Sequence, residues 1–319
     1  MDVIFLDQNK WIELARVEAG KVTSGPLITL YTCLKALVNR GEIIFPLSVS
    51  HIIETSRRND QVSRAHLAKI QAALSKGRVL RSRKARLLME IRAALLKAFG
   101  EPLIALPDHC AIVPGFMQAF EHYDELSASP YDVVTTRHLN THIDPRELLY
   151  NFLTNQNDED RRQAIAAFSA NARDLISQFE RRRHELQSVN NEMRWRIYGA
   201  KLFDEHQSLI CKQLVTIGKS IDDLKALGDS VITALLDNIP TLNVERNLAV
   251  KLETQSRSLK SNDLLDMYSM CAAIPYSTHV VAEKMFISLA RQCKLDSAYK
   301  STLSTELSVL ADLYCGNPK

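Results

Sequence analysis

Five acids stand where folding can bring them to one place: Asp7, Glu54, Asp263, Asp266 and Glu283. Asp7 closes the short apolar run Val3-Ile4-Phe5-Leu6, and Glu54 follows Ser50-His51-Ile52-Ile53. Asp263 and Asp266 open an apolar helical stretch, and Glu283 ends the run Val280-Val281-Ala282. Carboxylates gathered without a counter-charge repel one another and rise in pKa. Hard divalent cations such as Mg²⁺ and Mn²⁺ take oxygen ligands. An acidic cluster that holds them activates water and neutralises phosphate charge, the two-metal form of phosphodiester hydrolysis. Asp263 and Asp266 are three apart and share a helix face. Asn9, two past Asp7, could hold its carboxylate or a metal-bound water.

Each acid also has a plainer role open to it. Asp7 can cap the helix after the first strand, since Asp is a preferred N-cap. Glu54 can be an exposed helix residue paired with Arg57 or Arg58. Asn262-Asp263 is good helix-start chemistry, which suits Asp263 better as a cap than as a primary ligand. Glu283 can be a surface acid that opens the last helices. The joint occurrence of these acids is what favours a site.

The elements that must position them are legible in outline. Val3–Leu6 reads as a buried central strand, and Glu42–Pro46 as a second. Helices are expected over Lys10 to about Glu18, Leu27–Arg40, from Ser48 past Glu54, about Ser63–Lys76 and Lys84–Phe99, with Val79-Leu80 a brief edge strand. From Gly100 to Pro145 the pattern is broken by Pro102, Pro107, Pro114, Pro130 and Pro145. Helices return near 158–187, 191–214, 221–238 and 244–255. After Glu283, Lys284–Cys293 and Tyr299–Tyr314 read as helical. The two ends thus alternate strand and helix while the middle is helical, which predicts an α/β fold with a short central parallel sheet. Its first half is 1–99, its second 241–319, and a mostly helical insertion spans 100–240. Ligand sites in open α/β sheets lie at the strands' carboxyl ends.

The composition suits a globular protein, with 319 residues, 46% of them hydrophobic and 24% charged. Such a length buries a core without a metal or disulfide staple. The net charge of +3 neither demands nor excludes nucleic acid. The six cysteines form no CxxC pair, so a zinc site on local spacing is not expected. They read as reduced thiols of a cytoplasmic protein. No apolar run approaches the ~20 residues of a membrane span, and Asp2 with no basic segment is unlike a signal peptide. No membrane partner is expected.

Lys76–Arg86 carries six basic residues in eleven. Arg81, Arg83, Lys84 and Arg86 are the candidates for holding a phosphate backbone, a solvated helix start being the alternative. Arg181-Arg182-Arg183 and Arg194-Trp195-Arg196 are further basic candidates, and Trp195 could stack on a base. His138 and His142 have metal-like spacing, but no third ligand is near and Pro145 argues against a regular helix there. No Gly-rich phosphate loop or GxSxG elbow is present.

The pattern resembles the PIN-domain nucleases over about 1–99 and 240–319. That family begins with a hydrophobic strand ending in Asp-x-Asn, here Asp7-Gln8-Asn9. It places a glutamate in the helix after the second strand, here Glu54. An aspartate opens a later helix, here Asp266 with Asp263 one turn earlier. The last acid ends the following strand, here Glu283 where the family usually has Asp, with Val281 in place of its usual Thr or Ser. The resemblance implies a Mg²⁺- or Mn²⁺-dependent ribonuclease that leaves a 5′-phosphate and a 3′-hydroxyl. Asp7 and Asp266 would be direct ligands, and Glu54 and Glu283 would complete the ring or position water. A toxin or defence role is compatible with it. RNA is the expected partner, and the insertion would select substrate, regulate access or bind a regulatory protein or a second copy. Two other readings stay open: a non-catalytic PIN-like scaffold, and a DNA-directed nuclease, for which no obvious helix-hairpin-helix is present.

Overall fold

The computed structural model describes residues 1–103, 109–155, 157–255 and 257–316; Pro107 lies outside them. The chain begins with strand β1 (Asp2–Leu6), helices α1 (Gln8–Glu18) and α2 (Pro26–Arg40), and strand β2 (Ile43–Ile44). Helices α3 (Val49–Ser56) and α4 (Gln61–Ser75), strand β3 (Arg78–Leu80) and helix α5 (Arg83–Ala98) follow. The middle holds strand β4 (Ile112–Pro114) and helices α6 (Pro130–His142), α7 (Pro145–Thr154), α8 (Asp158–Glu185), α9 (Asn191–Thr216), α10 (Ile221–Ala226) and α11 (Asp229–Asp237). Then come α12 (Pro240–Glu253), α13 (Ser261–Tyr276), β5 (His279–Val281), α14 (Lys284–Gln292), α15 (Leu295–Tyr299) and β6 (Thr302–Ser304).

The main sheet has the order β2-β1-β5-β6 and is parallel throughout. Strand β1 is buried on both faces, as the unbroken run Val3–Leu6 demands of a central parallel strand. Its side chains alternate between two cores. Val3 and Phe5 join Val280 and Ala282 in a layer built on α5, α9, α12 and α13. Ile4 and Leu6 join Val281, Ile43 and Phe45 in a layer with α1, α2, α4 and α7. The sheet is therefore covered by helices on both sides. The middle of the chain contributes directly to these layers: Tyr198, Leu202, Ile210 and Leu235 share a core with Phe5.

Several expectations are corrected. Tyr299–Tyr314 is not one helix. Lys300 takes a left-handed backbone with φ 54°, which ends α15, and Thr302–Ser304 then adds a fourth strand beside β5. The brief edge strand expected at Val79-Leu80 is present as β3, paired antiparallel with β4 in a second, two-stranded sheet. His138 and His142 do lie on a regular helix, because Pro145 opens the next helix at its N1 position instead of interrupting this one. The thiols are not all reduced: Cys33 on α2 and Cys315 near the C-terminus are joined by a disulfide. Cys110, Cys211, Cys271 and Cys293 are free. No helix among the described residues is long and apolar enough to cross a membrane.

Candidate active site

Chain order reverses on either side of β1. The path from β1 runs to β2 on one flank, and the neighbour on the other flank is β5. The gap between the carboxyl ends of β1 and β5 is therefore a topological switch point, where a ligand crevice forms. Leu6 pairs with Val281, and the Asp7 N–H donates to the Val281 carbonyl at 2.9 Å. Asp7 and Glu283 consequently emerge side by side. Each is the N-cap of the helix that follows its strand, α1 and α14 respectively, where the positive end of the helix dipole favours an anion. The capping role of Asp7 is realised: Oδ1 accepts from the Asn9 N–H at 2.7 Å.

Glu54 arrives from the other direction, on α3. Ser48 begins that helix, and His51 takes the place of the usual Glu or Gln at its third position, with Nδ1 accepting from the Ser48 N–H at 3.0 Å. The His51 ring packs 5.0 Å from Phe5, centroid to centroid. Burial pushes His51 down to about 3, with a Leu6 backbone hydrogen bond opposing, so it is neutral. Asp266 comes from α13. The two helices are pinned by a hydroxyl chain, Ser48 Oγ to Ser50 Oγ at 2.6 Å and Ser50 Oγ to Ser269 Oγ at 2.5 Å. Ser50 is four residues before Glu54 and Ser269 three after Asp266, so each hydroxyl lies one turn from a carboxylate.

Asp7, Glu54, Asp266 and Glu283 thus line one cleft, floored by Phe5, Met270, Ala282 and Phe286. Their protonation reflects the crowding. Burial, with Glu54, Asp7 and Glu283 adding repulsion, pushes Asp266 up to about 8. Burial and the Asp7 charge push Glu54 up to about 7, against the partial relief of Arg57. Asp7 is also raised by burial, while backbone hydrogen bonds from Asn9, Lys10 and Glu283 pull it back. Such a donor set has the chemistry of a hard divalent cation site. As the side chains stand, no group of three or more His, Cys, Asp or Glu among the described residues is gathered closely enough to hold an ion. Glu283 is instead turned onto Asn9, whose Nδ2 donates to Oε1 at 2.5 Å.

The other expected site residues fall elsewhere. Asp263 does not line the cleft. Both its oxygens accept from Arg257 at 2.9 Å, and it also caps α13 through the Lys260 N–H at 2.7 Å. The basic run is largely committed inside the fold. Arg81 pairs with Asp124 at 2.7 Å, Arg83 with Glu245 at 2.6 Å, and buried Arg86 donates to the Arg81 carbonyl. Lys84 is half-buried and lines neither the cleft nor the cavity beside it. Trp195 lies under the Arg246 guanidinium, 3.5 Å from the ring centroid, and so serves packing.

Sequence reasoning missed the support beneath the cleft. Gln8 Nε2 donates to Thr55 Oγ1 at 3.0 Å, Thr55 Oγ1 to Gln71 Oε1 at 2.9 Å, and Gln71 Nε2 back to Gln8 Oε1 at 3.4 Å. This closed, buried triangle joins α1, α3 and α4, with Gln8 next to Asp7 and Thr55 next to Glu54. The signal that could have found it is Gln71, a polar residue on the stripe Leu67-Ile70-Leu74. No protein-family model, curated protein or solved structure matches the chain.

Proposed function

We propose that the protein is a divalent-metal-dependent nuclease that hydrolyses phosphodiester bonds, with RNA as its substrate. The observation that carries this reading is the convergence of Asp7, Glu54, Asp266 and Glu283, the first and last 276 positions apart, on one crevice at the carboxyl edge of the sheet. Asp7 and Asp266 would hold a Mg²⁺ or Mn²⁺ ion, with Glu54 and Glu283 completing the ring after rotation about their own side-chain bonds. The ion would supply charge neutralisation at the phosphate and a bound water of lowered pKa. Without the ion, burial and mutual repulsion raise Glu54 and Asp266 in pKa; a bound cation would cancel that repulsion and hold both in the ionised form that ligates. Neutral His51 and the serine chain hold α3 and α13 in place and take no proton in the reaction. The resemblance to the PIN nucleases adds the polymer and the products, a 5′-phosphate and a 3′-hydroxyl. The test is cleavage of RNA and DNA with and without divalent ion, beside Asp7→Asn and Asp266→Asn. Loss of cutting in both variants is expected.

One observation favours a non-catalytic scaffold instead: the carboxylates do not stand at ligand spacing. A ligand of the native state must raise its melting temperature. A scaffold would show no such rise with Mn²⁺.

A further inference from the structure

Arg81 lines two cavities, one between α3 and α13 beside the acidic cleft, the other a cavity of about 600 Å³ between α5 and α9. The larger one falls within the roughly 300–1,000 Å³ of small-ligand pockets. Its apolar walls are aliphatic: Leu88, Met89 and Leu96 come from α5, and Ile112 and Val113 from β4. No Phe, Tyr or Trp lines it among the described residues.

Three donors stand among these walls. Arg92 of α5 and Lys212 of α9 are exposed, and neither makes an ion pair or hydrogen bond among the described residues. Gln213, next to Lys212, is only 7% exposed. Its Oε1 accepts from Thr216 Oγ1 at 3.4 Å. Its Nε2 has no acceptor among the described residues and is not sealed from solvent, so it opens on the cavity that Gln213 lines. No Asp or Glu lines the cavity among the described residues. Arg81 is already answered, with Nε on the Cys110 carbonyl at 3.1 Å and Nη1 on Asp124 at 2.7 Å. A half-enclosed amide N–H without an acceptor is costly, and two cations without a counter-charge favour an anion.

We propose that this cavity binds an aliphatic anion, an alkyl chain carrying a carboxylate or phosphate head. Guanidinium, ammonium and amide nitrogen all donate, and the arginine fork matches either head. The chain would lie against the leucine, isoleucine and valine side chains, with Met89 adapting to its shape. A nucleotide suits the walls less well, because bases stack on aromatic rings. The inference goes beyond the nuclease reading and does not rest on it, since none of the four acids lines this cavity.

Calorimetric titration of the protein in EDTA with octanoate, octyl phosphate, octanol, acetate and UMP tests this. At least one of the two octyl anions is expected to bind ~10-fold or more tighter than octanol, which lacks the charge, and than acetate, which lacks the chain. The tighter of the two names the head. Arg92 and Lys212 are exposed, so the double variant Arg92→Ala, Lys212→Ala keeps the fold. In it the anions are expected to fall to the level of octanol, with octanol itself unchanged. Ala93→Leu, which fills the cavity from α5, is expected to weaken anions and alcohol alike. Equal binding of octanol and the anions, anion binding that survives the double variant, or tighter binding of UMP than of either anion would overturn the assignment. Octanoate binding in a protein that cuts no polymer keeps this site and removes the nuclease. Cleavage by a protein that binds neither octyl anion does the reverse.

Discussion

Asn9 Nδ2 donates to Glu283 Oε1 at 2.5 Å, joining two residues 274 apart in sequence. The bond spans the ends of β1 and β5 and fixes which way the last acid points. Asn9→Ala frees Glu283. Because Glu283 must turn from Asn9 to join the other carboxylates, a Mn²⁺ titration of cleavage rate is expected to show apparent metal affinity kept or raised; a drop of about 10–100-fold, the usual cost of losing a partner that orients a ligand, would contradict that rotation. Asn9→Asp adds a fifth carboxylate and is expected to be worse than Asn9→Ala at low metal concentration.

The crowded acids make the metal-free protein sensitive to pH in a defined direction. Asp266 rises from 3.8 to about 8 and Glu54 from 4.5 to about 7. The folded state therefore binds more protons than the unfolded chain between about pH 4 and pH 8, and stability falls as pH rises through that window. Above it the penalty is constant. In EDTA the melting temperature is expected to decline from about pH 5 to about pH 8. Asp266→Asn should flatten that decline and melt higher than wild type at the upper end. A parallel decline in the variant would mean that Asp266 does not carry the effect.

The Gln8–Thr55–Gln71 triangle holds α1 and α3 at the separation that keeps Asp7 near Glu54. Gln71→Leu leaves Gln8 and Thr55 buried with unmet hydrogen bonds, at a cost of about 1–3 kcal/mol. Thermal unfolding is expected to show this as a melting point lower by a few degrees. Cleavage should fall with it through the position of Glu54 and be partly recovered in Gln71→Glu at low pH, where the protonated acid restores a donor. An unchanged melting point would remove the triangle from the support of the site.

The Cys33–Cys315 disulfide closes a loop of 282 residues and ties α2 to the chain's end. Cross-linking so long a loop stabilises by up to about 5 kcal/mol through the unfolded state. Dithiothreitol is expected to lower the melting temperature of the wild type and to leave Cys33→Ser unaffected. Equal melting with and without reductant would show that the bond does not form in solution.

Local signals in the sequence were enough for the first strand and for the residues just beyond the apolar runs. Val3–Leu6 is apolar at every position and so had to be a strand buried on both faces. Asp7, Glu54, Asp266 and Glu283 could be singled out because each abuts such a run. What local signals do not carry is which long side chains are already taken. Arg81, Arg83 and Arg86 looked like a phosphate-binding run, yet their partners Asp124 and Glu245 lie 43 and 162 residues away. Asp263 read better as a cap than as a ligand from Asn262-Asp263 alone, and it does cap α13, but its pairing with Arg257 carried no local signal. Strand β6 escaped because its three residues are too short for a period, and only the left-handed Lys300 ahead of it marks the break.

The most direct measurement is cleavage of single-stranded and structured RNA and DNA with Mn²⁺, Mg²⁺ or EDTA, run with wild type, Asp7→Asn and Asp266→Asn. The account predicts metal-dependent cutting of RNA by the wild type, abolished by either substitution while both variants still fold. Cutting at the wild-type rate by either variant would contradict the assigned site. Absence of cutting on every polymer, with no Mn²⁺-dependent rise in melting temperature, would contradict the nuclease itself.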